Sequence, residues 1–319
     1  MAEVVLGIGS SHGPTIQTPA SEWPRLGAGD ARDPRYNYEE LLKAAKPGIE
    51  KELDPAVQQK RHEANQAGLA RLKQVVQEAN LDAIVTVSNP HRTWPDDNQP
   101  VFGIFRGATL PVAKKIANRY DPDARFREGG RPPLELVERP GQPELANHLI
   151  RALIEQDFDV GCTDRIHEGS GLDEAFTLLY ERFTPDGDVP MVPFLLSRYL
   201  PNQATSARCY ALGKALRRAI EAWDVDARVG LFASGGLSHQ VLDEEFDHQV
   251  VDALVERHTD VLCSLPVDRL NRGAGTPETL NWVTVAGAFE STGMTLIDYV
   301  PCYRSPASTG HGVTFGYWT

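Results

Sequence analysis

"AIVTVSNPHRTW", residues 83–94, is the stretch whose reading decides the fold. Its first half is a short apolar run rich in β-branched residues, the pattern of a buried strand. The run breaks at Ser88-Asn89-Pro90, and the next residue is His91. An imidazole therefore sits at the carboxyl lip of a buried strand, held behind a proline.

Three further runs read the same way: "VVLGIG" (4–9), "VPMVPFLL" (189–196) and "RVGLFAS" (228–234). Longer segments of helical period lie between them. Residues 55–79 open with Asp54 as N-cap and Pro55 at the first helical position. Residues 143–156, 204–223, 243–262 and 276–292 follow, the last with Thr276 as cap and Pro277 behind it. Alternating strands and helices predict an α/β fold with a central mixed sheet flanked by helices. No composition shift marks a boundary, so residues 1–319 read as a single domain. Two stretches, 17–50 and 120–141, are rich in Pro, Gly and charge, and loops that long are commonly lids or binding loops.

The composition is that of a globular protein, 41% hydrophobic and 24% charged, with a net charge of -12. Such acidity argues against nucleic acid, whose binding needs Lys and Arg on phosphates. It leaves room for a small anionic ligand, because a pocket can oppose the global sign. The four cysteines are scattered without a C-x-x-C pair, and read as reduced packing thiols. With no signal peptide and no apolar run of membrane-spanning length, the expectation is a cytoplasmic protein without a membrane partner.

Three of the four strands end alike, on His12, His91 and His239. In open α/β sheets ligands bind outside the carboxyl ends of the strands. One such histidine is commonly a plain loop residue, but three among nine, at matching strand ends, point to one crevice. Two imidazoles and one carboxylate make the facial triad of non-haem Fe(II) sites, and a remaining imidazole is then free for acid–base work. Glu278 is the attractive carboxylate, because its place in a first helical turn favours the ionised form, although acids there are also ordinary caps. Other motifs fail: "GIGSSHG" lacks the dinucleotide-binding spacing, and "HEANQ" (62–66) is not H-E-x-x-H.

Taken together, "GIGSSHGPTIQTPASEW", "RHEANQAGLARL" with "DAIVTVSNPH", "YLPNQATSARCYALGKALRRAIEAW", "SGGLSHQ" and "YRSPASTGHGVTFGYW" resemble the class III extradiol ring-cleaving dioxygenases. The likeness is to the protocatechuate 4,5-dioxygenase β-subunit, gallate and 3-O-methylgallate type. The resemblance implies an Fe(II) cofactor held by His12, His91 and Glu278, with His239 as the base beside the substrate hydroxyl. It implies as partners O2 and a hydroxylated aromatic acid, catecholic or gallate-like, whose ring opens beside the diol, and a homo-oligomeric enzyme. One departure is plain. Where the family has a second pocket histidine, "SGLDEAFTLLY" places Glu174: either it does the acid–base work, or His167 substitutes, or the reaction differs.

Arg92, Arg198 and Arg304 lie near these segments, and Arg198 is the favoured partner for a substrate carboxylate. Trp94 and Tyr199 are candidates to wall an aromatic ring, although packing explains them equally well. Two other readings stay open. One is a hydrolase or lyase in which a divalent metal activates water; the other is a non-catalytic relative that binds an aromatic ligand.

Overall fold

The computed structural model describes residues 1–91, 93–94, 98–114, 135–166, 171–186 and 189–319. Its core is one sheet of nine strands, in which Glu3–Ser10 (β1), Ala83–Ser88 (β2), Met191–Leu196 (β7) and Arg228–Ser234 (β8) form the centre. The order there is β1-β8-β2-β7, every pair parallel. Phe102–Phe105 (β3) lies antiparallel to β7 and carries Gly161–Thr163 (β6) beyond it. On the other side Thr309–Trp318 (β11) runs antiparallel to β1, followed by Thr295–Tyr303 (β10), while His239–Val241 (β9) pairs with the start of β11. Thr109–Ala113 (β4) and Leu136–Pro140 (β5) form a separate hairpin. The sheet is mixed and helix-flanked, as the alternation predicts.

Side chains of the central strands alternate between two cores, as the two-residue period of a strand requires. Val229, Leu231 and Ala233 of β8 face one core, with Val85, Val87, Val192 and Phe194. Phe232 faces the other, with Leu6, Ile8, Ile84 and Leu195. The first core is closed by Pro143–Ile154 (α1), Ser206–Glu221 (α2), Glu244–Glu256 (α3) and Thr279–Ala288 (α4). The second is closed chiefly by the helix Pro55–Glu78 and by Ile16 and Trp23. Helices α2 and α4 pack so closely that a Cβ at Gly213 would lie 1.8 Å from the Thr284 carbonyl. That contact anchors α4, whose N-cap is Glu278.

Several boundaries differ from expectation. The helix read over 243–262 ends at Glu256, because Arg257 turns left-handed (φ 63), and Thr259–Cys263 forms a separate turn. The helix read from Thr276 opens with a 3-10 turn, Thr276–Glu278, before α4 begins. The stretch 17–50 is not one loop but holds the short helices Trp23–Asp30, Tyr38–Lys43 and Ile49–Glu52. The stretch 120–141 ends in β5, and its earlier part lies outside the described residues.

Candidate active site

The four parallel strands end on one side of the sheet, and the turns that follow carry the candidate side chains. His12 comes two residues after β1, His91 three after β2, and the loop Gly235–Ser238 leads from β8 to His239. A hydrogen-bond network ties these ends together. Ser88 Oγ donates to the Ser234 carbonyl (2.8 Å), Asn281 Nδ2 to the same carbonyl (2.9 Å) and Trp282 Nε1 to the Gly235 carbonyl (2.9 Å). Gly235 has φ +149, where a side chain is strained, and a Cβ there would come 2.7 Å from Glu278 Cβ. The strand ends and the start of α4 are thus locked to each other.

Within this frame one donor atom each from His12, His91 and Glu278 lies within 4.8 Å of the others, the three residues that the family resemblance implies as ligands. Glu278, 1% exposed, is the hub: its Oε1 is 3.0 Å from His91 Nε2 and 3.5 Å from both His12 Nε2 and His239 Nε2. The backbone N–H of Gly236 donates to its Oε2 (3.0 Å). Burial works against its charge, but the His12 and His239 imidazoles outweigh that and hold the carboxyl well below its ordinary range.

Tautomers follow from the outer contacts. Ser234 Oγ donates to the Ala175 carbonyl, so at 3.2 Å it accepts from His12 Nδ1–H. In the neutral ring that leaves the lone pair on Nε2, on the crevice side, the form a metal ligand needs. His239 donates through Nδ1 to the Leu237 carbonyl (3.1 Å), which likewise leaves Nε2 as an acceptor toward the crevice. For His91, burial and the Arg198 charge pull the pKa down, but Asp173 and Glu278 prevail and raise it to about 9. Once His91 gives up its second proton, two imidazoles and an ionised carboxylate present a donor set that fits a divalent cation accepting N and O ligands, Fe(II) and Zn²⁺ among them.

The remaining candidates are less central. Arg198 is half-buried at the end of β7, over the ring of Tyr199 (4.4 Å), and its charge reaches His91. Trp94 donates to Asn98 (3.0 Å) and packs against Gly103 and Gly161. Arg304 is buried in an ion pair with Asp30. Glu174 is half-buried at the first position of the helix Glu174–Leu178. Arg92 and His167 lie outside the described residues.

Two residues escaped the sequence reading. Asp173, fully buried, caps the helix Glu174–Leu178 and accepts from Thr93 Oγ1 (3.0 Å), and its Oδ1 stands 3.7 Å from His91 Nδ1. Its signal was an N-cap acid one residue before Glu174. His311, on β11, stacks on His239 with centroids 5.1 Å apart, and burial followed by Arg304 holds its pKa well below the usual value. Nothing local marks it, because only strand pairing brings it here.

Comparison with known proteins bears on the family and the fold. The chain is 30% identical over 177 residues to gallate dioxygenase of Pseudomonas putida, covering 51% of this chain and 50% of that protein. It thus spans about half the length of the curated relative it matches. Its fold matches the crystal structure of the uncharacterized protein JW3007 from Escherichia coli K12, at 16% identity and a TM-score of 0.50 over 98% of this chain and 99% of that one. The family model described as the catalytic LigB subunit of aromatic ring-opening dioxygenase matches residues 46–313, a span that includes His91, His239 and Glu278 while His12 precedes it. The chain belongs to this family of aromatic ring-opening dioxygenase catalytic subunits.

Proposed function

We propose that this protein is a non-haem Fe(II)-dependent extradiol dioxygenase that opens the ring of a hydroxylated aromatic acid with O2. The observation that carries the reading is the convergence of His12, His91 and Glu278 within 4.8 Å, with a fourth imidazole, His239, beside them. His12, His91 and Glu278 would hold the metal on one face, leaving the crevice side open. When bound, the metal would acidify a coordinated hydroxyl and bring both reactants together.

The chain's own groups do the rest. His239 Nε2, an acceptor because Nδ1 is committed to Leu237, takes the proton of the substrate hydroxyl. Such a base contributes about 10²–10⁴-fold in rate. Arg198, with its guanidinium over Tyr199 at the crevice edge, binds the substrate carboxylate. Asp173 stands behind His91 and sets the orientation of its ring. The gallate dioxygenase likeness favours a trihydroxy acid among the possible substrates.

Oxygen uptake tests this reading. Protein loaded anaerobically with Fe(II) is mixed with gallate, protocatechuate and related acids while absorbance is followed. Uptake together with a new ring-fission absorbance is expected for at least one acid. Bound metal without uptake for any of them would favour the hydrolytic or ligand-binding readings instead.

A further inference from the structure

β11 brings to the crevice a histidine that the chemistry above does not use. His311 is 3% exposed and pairs in register with His239, the two rings stacked with 29° between their planes. Its Nδ1 faces Thr15 Oγ1 at 3.3 Å and Arg304 Nη1 at 3.5 Å. A guanidinium has only donors, so Nδ1 is the accepting nitrogen and the ring proton sits on Nε2. Arg304 is itself fixed by Asp30, Nε to Oδ2 at 2.7 Å and Nη2 to Oδ1 at 2.8 Å, and Thr309 donates to the same carboxylate. A buried ion pair on the far side of the ring therefore sets its tautomer.

On the near side the ring lies against the turn that carries His12. A Cβ at Gly13 would come 2.8 Å from His311 Nε2 and Cδ2, so only a glycine leaves this edge room. Among the described residues no group accepts a hydrogen bond from Nε2. The residue is buried as a whole, yet its Nε2–H is not spent on any of these residues and remains available to a ligand. The two stacked rings are also complementary: His239 offers an acceptor at Nε2, and His311 a donor at Nε2.

We propose that His311 is a substrate-binding residue, its Nε2–H held in place by Asp30 and Arg304 to donate to an anionic or hydroxyl oxygen of the ligand beside His239. The identity of that ligand rests on the function proposed above; the donor itself does not.

The test is an anaerobic calorimetric titration of the metal-loaded protein with gallate, in the wild type, His311→Phe and His311→Gln, with metal content measured on each sample. Phe keeps a ring to stack on His239 and removes the donor; Gln removes the ring and keeps an N–H near the same place. Gallate binding about tenfold weaker in His311→Phe, with His311→Gln within about threefold of wild type and metal content unchanged, is the expected result. Wild-type affinity in His311→Phe overturns the inference and marks a packing role that either ring fills, and so does a His311→Gln protein as weak as His311→Phe, in which the retained N–H restores nothing. Nitrogen-15 NMR of the ring in the metal-free protein decides separately: an Nε2–H tautomer supports the donor and an Nδ1–H tautomer overturns it. If the wild type binds gallate but takes up no oxygen, the ring-opening reading fails while these comparisons still decide the role of His311. If it binds no gallate, the substrate reading fails and the tautomer decides.

Discussion

Ser234 determines what His12 can do. Its hydroxyl, committed as a donor to the Ala175 carbonyl, accepts from His12 Nδ1 and leaves Nε2 as the nitrogen that would ligate the proposed metal. Ser234→Ala removes that constraint without touching a ligand, and metal affinity should fall about 10–100-fold, measured by competition with a chelator. His91 gives a pH signature in the metal-free protein. Its pKa, pulled down by burial and Arg198 but raised overall to about 9 by Asp173 and Glu278, lies above the ordinary 6.5. The imidazolium therefore stabilises the fold fully below pH 6.5, and that contribution is lost as pH rises through about 9. Denaturant unfolding at a series of pH values should show the wild type losing about 3 kcal/mol across this window, a loss absent in His91→Gln. Bound metal should abolish the dependence, since a ligating imidazole cannot carry the second proton.

Among the elements, the four parallel strands and the helices beginning at Pro55 and Ser206 were legible in the sequence because burial and period coincide there. β2 and β7 are buried at every position, and a run of apolar residues reports that directly. The hairpin β10–β11 was not legible as strands. β11, "TGHGVTFGYW", carries three glycines whose missing side chains make room for others: Gly316 for Met294 and Gly312 for Asp247. Its apolar pattern is thinned by the close packing that buries it. His12, His91, His239 and Glu278 were readable because local strand ends and a helix start announce them. His311 was not, because it reaches the crevice only through pairing with β9. Asp173 lay one residue from the acid that drew attention, and only the helix start shows which of the two faces His91. The α2–α4 contact offers a test at this scale. Gly213→Ala drives a methyl into the Thr284 carbonyl and should destabilise the fold by about 1–3 kcal/mol, with weaker metal binding because Glu278 caps α4. Chemical denaturation and metal titration of the same variant check both effects.

Over the whole molecule, a net charge of -12 coexists with a crevice whose edge carries Arg198 and whose floor holds three imidazoles around one carboxylate. A cation at the crevice edge can favour a small anionic ligand even against the global sign. None of the described helices is long and apolar enough to cross a membrane. Metal binding to the folded state alone should stabilise the entire fold by mass action. A hundredfold excess of divalent metal over its dissociation constant should add about 2.7 kcal/mol to unfolding in the wild type and nothing in His91→Ala, read as a shift in the denaturation midpoint.

The most direct measurement is the fate of oxygen atoms. The Fe(II)-loaded protein is given an aromatic acid that supports oxygen uptake, under isotopically labelled O2 in unlabelled water, and the product is examined by mass spectrometry. Ring opening at the His12–His91–Glu278 centre predicts a product that carries both labelled atoms, and none from a Glu278→Gln protein that has lost its metal. A product whose new oxygen comes only from water would contradict it and make this a hydrolytic site.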